Sequence, residues 1–568
     1  MIRTLVDRCP KPAGRPLVDR RSLQVLIAIP ALLLVGAVIA TAHPHDPDEA
    51  QHYVLLGMEA AGKDRHEAAI FYLRRAVEMD STIVAQVGKE LGNQYTWADK
   101  ADSAIVWYEA YLEAHPDDIE AELGLARAYS WSDQHDEALV HYRHLLEIAP
   151  GHEEEVNVAI ARITSWQDKL LTAETLYDSV LVEHPDNLEA RIGRAQTINW
   201  SGKHRTAAIL YNEILVEHPD NTEARAGLAN AYQWMGRPDL ALEVLGDSPT
   251  VKSHTAIAGD IQRSHSPAFT YSYNNNFDSD DIERRRHEFR GAFSPHDLTR
   301  GQAMYSHWRI TQQALPQISR NQIGATLERR FSNLLAASAT LGWEWSQYDL
   351  GAASANPDFK DEFNLPLIDA YVTLTPRDWL RSDIGLYHGS FENPEPIYRN
   401  ISITELSGSV DWRFHPTMMT VGALRFSDYS DGNNRWSAAG RFDWNPIWQA
   451  PVRTRNRFTL ISYLGYLSFA EDPGNGYFSP ESYAIFYQRV EWLLNFQNVV
   501  SLMIAGRMGA EHDTEWFPVG ALDGYVSWRI VPDFALTLGY YNTESRLDTR
   551  SGYQADGWYL TMDYLFVR

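Results

Sequence analysis

Residues 557–568 read GWYLTMDYLFVR. Successive side chains of an extended strand point to opposite faces. Trp558, Leu560, Met562, Tyr564 and Phe566 therefore share one face, and Tyr559, Thr561 and Asp563 the other. Large apolar groups on one face and a carboxylate on the other describe a strand lying between an apolar and a polar medium. The pattern recurs upstream. AFTYSYN (268–274) sets Phe269, Tyr271 and Tyr273 against Thr270 and Ser272, and SGSVDWRF (407–414) sets Val410, Trp412 and Phe414 against Ser409, Asp411 and Arg413. FYQRVEWLLNF (486–496) and YVSWRI (525–530) alternate in the same way.

A soluble sandwich also alternates, so three further features decide. The polar face carries charges of both signs in mid-strand, as Arg489 and Glu491 do, while the other face is apolar and aromatic. The strands run to about ten residues, the length of a tilted bilayer crossing. The connections are of two alternating kinds. FSPHD, FSNL, TPRDW, FHPT, NPIWQAP, FQNV and VPDF are short; stretches such as NNNFDSDDIERRR, DLGAASANPDFKDEFNLP, ENPEPIYRN, SDYSDGNN, EDPGNGYFSPES and NTESRLDTRSGYQADG are long and polar. Short turns on one side and long loops on the other describe a transmembrane antiparallel β-barrel of about 16 strands over 267–568. Its last strand, 557–568, is expected to pair with AFTYSYN so that no backbone edge meets lipid. The inward candidates are Glu405, Asp411, Arg413, Arg489, Glu491, Arg529 and Asp563, either lining a path or pairing with one another to brace the barrel.

Ahead of the barrel the period changes. Prolines recur as Pro116, Pro150, Pro185 and Pro219; small residues as Ala104, Ala138, Ala173, Ala207 and Ala241; and Tyr108, Tyr142, Tyr177 and Tyr211 stand four places beyond the first four of these. A second small residue recurs as Gly92, Ala126, Ala161, Ala195 and Ala229. Residues at i and i+4 share a helical face, small residues let antiparallel helices approach, and the proline ends one helix and opens the next. The 34-residue period resembles the tetratricopeptide repeat, giving about six repeats in an all-α solenoid over 43–250, with 251–266 as a linker. Trp97, Trp131, Trp166, Trp200 and Trp234 follow the same period. Each ring either packs on its neighbouring repeat or, as the resemblance implies for this position, faces a concave ligand-binding side and stacks on sugar or peptide.

The first 42 residues carry Arg3, Arg8, Lys11, Arg15, Arg20 and Arg21, then LQVLIAIPALLLVGAVIATA ending in an A-x-A pattern, and are expected to be a signal peptide; a retained anchor is the alternative. The chain of 568 residues has a formal charge of −25, which excludes nucleic acid as an expected partner. Its one cysteine, Cys9, allows neither a disulfide framework nor a thiolate metal cluster. GMEAAGKD (57–64) nearly matches a phosphate-binding loop but lacks the final Ser/Thr and a preceding strand. The histidines and aspartates of HPHDPDEAQH (43–52) read as a solvated tail rather than a metal site. No G-x-S-x-G or H-E-x-x-H occurs, and no enzyme activity, cofactor or metal is expected.

An export signal, a helical solenoid and a C-terminal barrel in this order resemble the outer-membrane proteins of exopolysaccharide export, of the cellulose-export and poly-N-acetylglucosamine porin types, and the YaiO-like barrels. LARAYSWSDQHDEA and GLANAYQWMGR are similar to their repeats, and LRFSDYSDGNNR to their strand-and-loop segments. The resemblance implies an outer-membrane location with the repeats in the periplasm. It implies outer-membrane lipid and the barrel-assembly machinery as partners, with a polysaccharide and its synthase or modification proteins beyond them. It also implies an aromatic last residue, where this chain has Arg568, two places beyond Phe566. The competing expectation is a non-conducting scaffold that only anchors the repeats; a barrel enzyme stands behind both.

Overall fold

The computed structural model describes residues 47–246, 252–313, 315–351, 356–446, 456–496, 499–543 and 555–566. The expected signal peptide, the acidic and histidine-bearing residues before position 47, and Arg568 lie outside them. The chain forms two compact units, one ending at Thr197 and the other beginning at Ile198.

Twelve helices among the described residues follow in order, two to a repeat: 47–61 and 66–79, 84–97 and 101–112, 119–131 and 135–148, 153–166 and 170–183, 188–200 and 204–217, and 222–234 and 238–245. The sequence dictates both ends of each pair. The H-P-D/N segments supply Asp118, Asn187 and Asn221, whose side chains accept from the backbone N–H of Ala121, Ala190 and Ala224 at 3.0, 2.7 and 2.8 Å and cap the first helix. Two residues beyond each tryptophan the backbone turns left-handed, at Asp99, Asp133, Asp168, Gly202 and Gly236. Only Gly, Asn and Asp enter that region readily, which explains the Asp/Gly period there. Ala69, Ala104, Ala138, Ala173, Ala207 and Ala241 are fully buried, and the period-linked tyrosines pack beside them. Tyr108 fits between two glycines: a Cβ at Gly92 or Gly124 would fall 2.7 or 2.6 Å from its ring. Burial pushes the Tyr108 and Tyr142 phenols up to about 12, so both hydroxyls stay protonated.

The stretch expected to be a linker is a helix, Lys252–His265. Its Ile257 and Ile261 are buried with Ala226, Ala229, Ala241 and Leu245 of the sixth pair, so it closes the apolar end of the repeats.

Among the described residues sixteen antiparallel strands follow in one closed barrel, each hydrogen-bonded to its sequence neighbours and β1 to β16. They are β1 268–278, β2 283–296, β3 299–311, β4 318–330, β5 335–347, β6 362–377, β7 380–390, β8 402–415, β9 418–429, β10 434–444, β11 456–469, β12 483–496, β13 500–512, β14 516–531, β15 534–543 and β16 555–565. The seam has the expected register: Phe269, Tyr271 and Tyr273 stand opposite Tyr564, Met562 and Leu560. Exposed Trp, Phe, Tyr, Leu and Ile side chains cover the outer face of the strands, as hydrocarbon requires.

The loop asymmetry is weaker than expected. On the side away from the repeats, β1 and β2 are joined by residues 279–282, β9 and β10 by 430–433, and β13 and β14 by 513–515. Much of NNNFDSDDIERRR is therefore strand. Strands of this barrel reach 16 residues and carry their polar ends beyond the apolar band, so polarity marked strand ends as readily as loops.

Candidate functional site

The lumen is built by the inward rows of the strands. Arg489 of β12 is gripped by both carboxylate oxygens of Asp523 at 2.5 and 2.8 Å and by Glu491 at 2.8 Å. Glu405 of β8 accepts from Ser427 at 3.0 Å and from Arg435 at 2.8 Å. Asp411 stands opposite Arg381 on β7, and Asp563 accepts from Thr270 at 2.6 Å across the β1–β16 seam. Arg413 and Arg529 lie exposed near the strand ends on the repeat side. The seven expected residues are thus distributed around the wall. Three of them, Glu405, Arg489 and Glu491, sit in ion-pair networks, and the rest do not converge on one point.

Sequence reasoning missed the most deeply buried charges. Arg284 pairs with Asp278 at 2.7 Å, and Arg320 with Glu344 at 2.6 Å, all nearly inaccessible to solvent. Both arginines hold the β7–β8 connection. Arg284 donates to Glu392 O at 3.1 Å and Asn393 Oδ1 at 2.9 Å, and Arg320 to Phe391 O at 2.6 Å. That connection, expected to be a long polar loop, contains a short helix, Pro394–Tyr398, with Pro394, Pro396, Ile397 and Tyr398 buried. Tyr398 packs with Trp308, Ile310, Ile318 and Phe363 on one side of the barrel. Phe391 stacks on Tyr477 at 4.9 Å and joins Tyr429, Phe469, Tyr483 and Ile485 on the opposite side. In a ring of sixteen strands β3 and β11 face each other, so residues 391–401 cross the lumen as a plug. The available signal was the apolar PIY within ENPEPIYRN, which solvent would not favour.

A cavity of about 500 Å³ remains beside the plug, lined by Asn276, Arg284, Glu392, Arg489, Arg507, Asp523, Tyr541 and Tyr559. A second, of about 440 Å³, lies at the other mouth, where Gln233, Gly236 and His265 meet Asp297, Arg300, Glu328 and Arg330. Both volumes are in the range of small-ligand sites.

The last repeats are fixed to that mouth by named contacts. Helix 204–217 has no cap of its own, since Lys203 makes no capping bond. Asp378, in the β6–β7 turn, accepts from the Arg205 backbone N–H at 2.9 Å instead. The Arg205 guanidinium donates to the carbonyls of Asn333 and Thr375, and Arg237 reaches Asn333 Oδ1 at 3.1 Å. Burial pushes the Asp378 carboxyl up, opposed by Arg205. Burial, with the charge of Arg413, pushes the His204 imidazole down to about 4.

The five tryptophans are not equivalent. Trp97 is 46% exposed and Trp200 only 8%. Trp97 lies on His66 at 5.6 Å, Trp166 on His135 at 5.9 Å, and Trp234 on His204 at 5.2 Å. Arg162 also sits 5.6 Å over Trp166. The partner in each case is the first residue of the preceding repeat's second helix, so the rings knit repeats together while presenting unequal areas to solvent. Among the described residues, no cluster of three or more His, Cys, Asp or Glu side chains is arranged for a metal ion.

This architecture is that of a closed 16-strand transmembrane β-barrel preceded by tetratricopeptide repeats. Tetratricopeptide-repeat families match residues 50–83, 98–163 and 201–253. No curated protein matches the chain. Among solved structures, a bacterial polysaccharide outer membrane secretin is 14% identical, with a TM-score of 0.41 over 53% of this chain and 99% of its own. CdiB from Acinetobacter baumannii is 10% identical, with a TM-score of 0.37 over 53% and 60%. A tetratricopeptide repeat protein from Parabacteroides merdae is 19% identical, with a TM-score of 0.34 over 38% and 87%.

Proposed function

We propose that the chain serves export or assembly of an extracellular polysaccharide across the outer membrane. In this reading the repeats, on the periplasmic side, bind glycan or a partner such as a synthase or modifying protein, and the barrel passes glycan outward. No catalytic step is assigned to the chain. The observation that carries the proposal is a pair of cavities, about 500 Å³ in the lumen beside the plug and about 440 Å³ at the repeat-side mouth, whose carboxylates, arginines, amides and tyrosines are able to hydrogen-bond sugar hydroxyls and stack on sugar rings.

The buried plug favours a second reading, an anchored scaffold whose barrel never conducts. Single-channel recording in a planar bilayer separates the two. Export requires current, either from the intact barrel or after residues 391–401 are replaced by a short Gly/Ser turn. A replaced barrel that folds and stays sealed would leave the scaffold.

A further inference from the structure

Each strand residue belongs to the lumen or to the outer surface, and the outer rows of β2–β4 carry an unusual set. Phe289 and Phe293 of β2, Tyr305 of β3, and Ile323 and Leu327 of β4 are exposed outward. By alternation Arg285 and His287, His307 and Arg309, and Asn321 share that surface. Their in-between neighbours Arg284, Glu288, Ser306, Trp308 and Arg320 are buried on the other face. The register sets His287 opposite His307 and Arg285 opposite Arg309. His307 in turn stands opposite Asn321.

In the half of the barrel away from the repeats, Arg285 and Arg309 are the only arginines on outward rows of the described strands, and no lysine lies there. Arg329 is also outward, at the repeat-side end of β4. Arg285 and Arg309 face each other across one ladder, an arrangement that destabilises a sheet unless an anion separates the charges. Arg285 has Glu283 at 2.6 Å as a partial counter-charge. The Arg309 guanidinium makes no hydrogen bond or ion pair with a described residue and is exposed.

The position fixes what such an anion is. The pair stands at the end of the barrel away from the repeats, close to the β1–β2 turn. Two steps down the same strands lies an apolar row, Tyr271, Phe289, Tyr305 and Ile323, which acyl chains cover; the rise between the rows is about 13 Å. The row between them holds His287, His307 and Asn321, all polar.

We propose that Arg285 and Arg309 bind the phosphate of a phosphorylated lipid in the outward-facing leaflet. Planar guanidinium forks fit phosphate oxygens, and Arg309, with Arg285 held beside it by Glu283, leaves the group one positive charge for a phosphate to balance. His287, His307 and Asn321 meet the polar part below the phosphate, and the acyl chains lie on Phe289, Tyr305 and Ile323. Lipid binding at this surface does not depend on whether the lumen conducts.

The test is native mass spectrometry of the detergent-purified full chain, incubated with a diphosphorylated lipid A, its dephosphorylated form, or inorganic phosphate alone. The double variant Arg285→Gln/Arg309→Gln should retain at least about tenfold less diphosphorylated lipid than the wild type, the loss expected for one charge-assisted hydrogen bond or more. The dephosphorylated lipid should bind both proteins alike, and Arg329→Gln should behave as wild type. Heat-modifiable migration reports folding, and Arg309→Gln alone carries the test if the double variant does not fold. Equal retention of the phosphorylated lipid by the folded variant overturns the proposal. So does an equal loss of the dephosphorylated lipid, or displacement of the lipid by inorganic phosphate at equal concentration.

Discussion

Acidification should loosen the fifth repeat, and His204 should be the reason. Its imidazole lies against Trp234 at 5.2 Å and shares a 2.9 Å hydrogen bond with Asn199. Burial and the nearby Arg413 hold it neutral down to about pH 4, against an ordinary 6.5. A histidine whose folded value is depressed stabilises the fold fully above its ordinary value, and that contribution is lost as pH falls toward the folded value, because the unfolded chain takes up the proton first. Between about pH 7.5 and about pH 4.5 the loss is roughly 2.5 kcal/mol, or on the order of 70-fold in the opening equilibrium of helix 204–217. Hydrogen exchange read by mass spectrometry, corrected for the intrinsic pH dependence of exchange, measures that opening. His204→Leu removes the titrating group and is sterically plausible, since Leu170 occupies the equivalent place one repeat earlier and is buried there. The wild type should lose protection over residues 204–217 on acidification, and the leucine variant should lose at least tenfold less. Equal losses in the two proteins would refute the reasoning.

Asp378→Ala removes the cap of helix 204–217 and should weaken its first turn by about 1 kcal/mol, seen as faster exchange at residues 205–208 with the strands unchanged. Gly124→Ala drives a methyl into the Tyr108 ring and should destabilise the repeats by about 1–3 kcal/mol in urea unfolding followed by circular dichroism. Arg320→Met leaves the buried Glu344 carboxylate without its counter-charge and with Gln322 as its remaining donor, a cost of about 3–5 kcal/mol that should expose residues 391–401 to protease; Arg320→Met with Glu344→Met should restore much of the protection. Deleting residues 557–568 removes the partner of both β1 and β15 and should abolish membrane assembly, read as loss of heat-modifiable migration.

The helical repeats were legible because their signals are local. Ala104 and Tyr108, four residues apart, lie on one helical face whatever surrounds them, and the period fixes which helix meets which. The closing pair of β1 and β16 was legible for a related reason: alternation assigns faces, and a strand edge in lipid must find a partner. The helix at 252–265 was less visible, because its two buried isoleucines acquire meaning only from the alanines of the sixth repeat. The tryptophan period was plain, yet what each ring touches depends on whether His66, Ala101, His135, Leu170 or His204 precedes it, and that changes from repeat to repeat.

Sequence alone therefore determined the two architectures, their order, the outward and inward faces of the strands and the seam that closes the barrel. Each of these follows from periodicities of 2, 3.6 and 34 residues and from the rule that backbone polar groups in lipid must be paired. Tertiary structure decided what fills the lumen and what holds its mouth. The plug depends on Arg284 and Arg320 reaching a segment more than 70 residues away, and the junction on Arg205 finding Asn333, Thr375 and Asp378. Such contacts leave no period in the chain, because they join side chains that only barrel closure brings together.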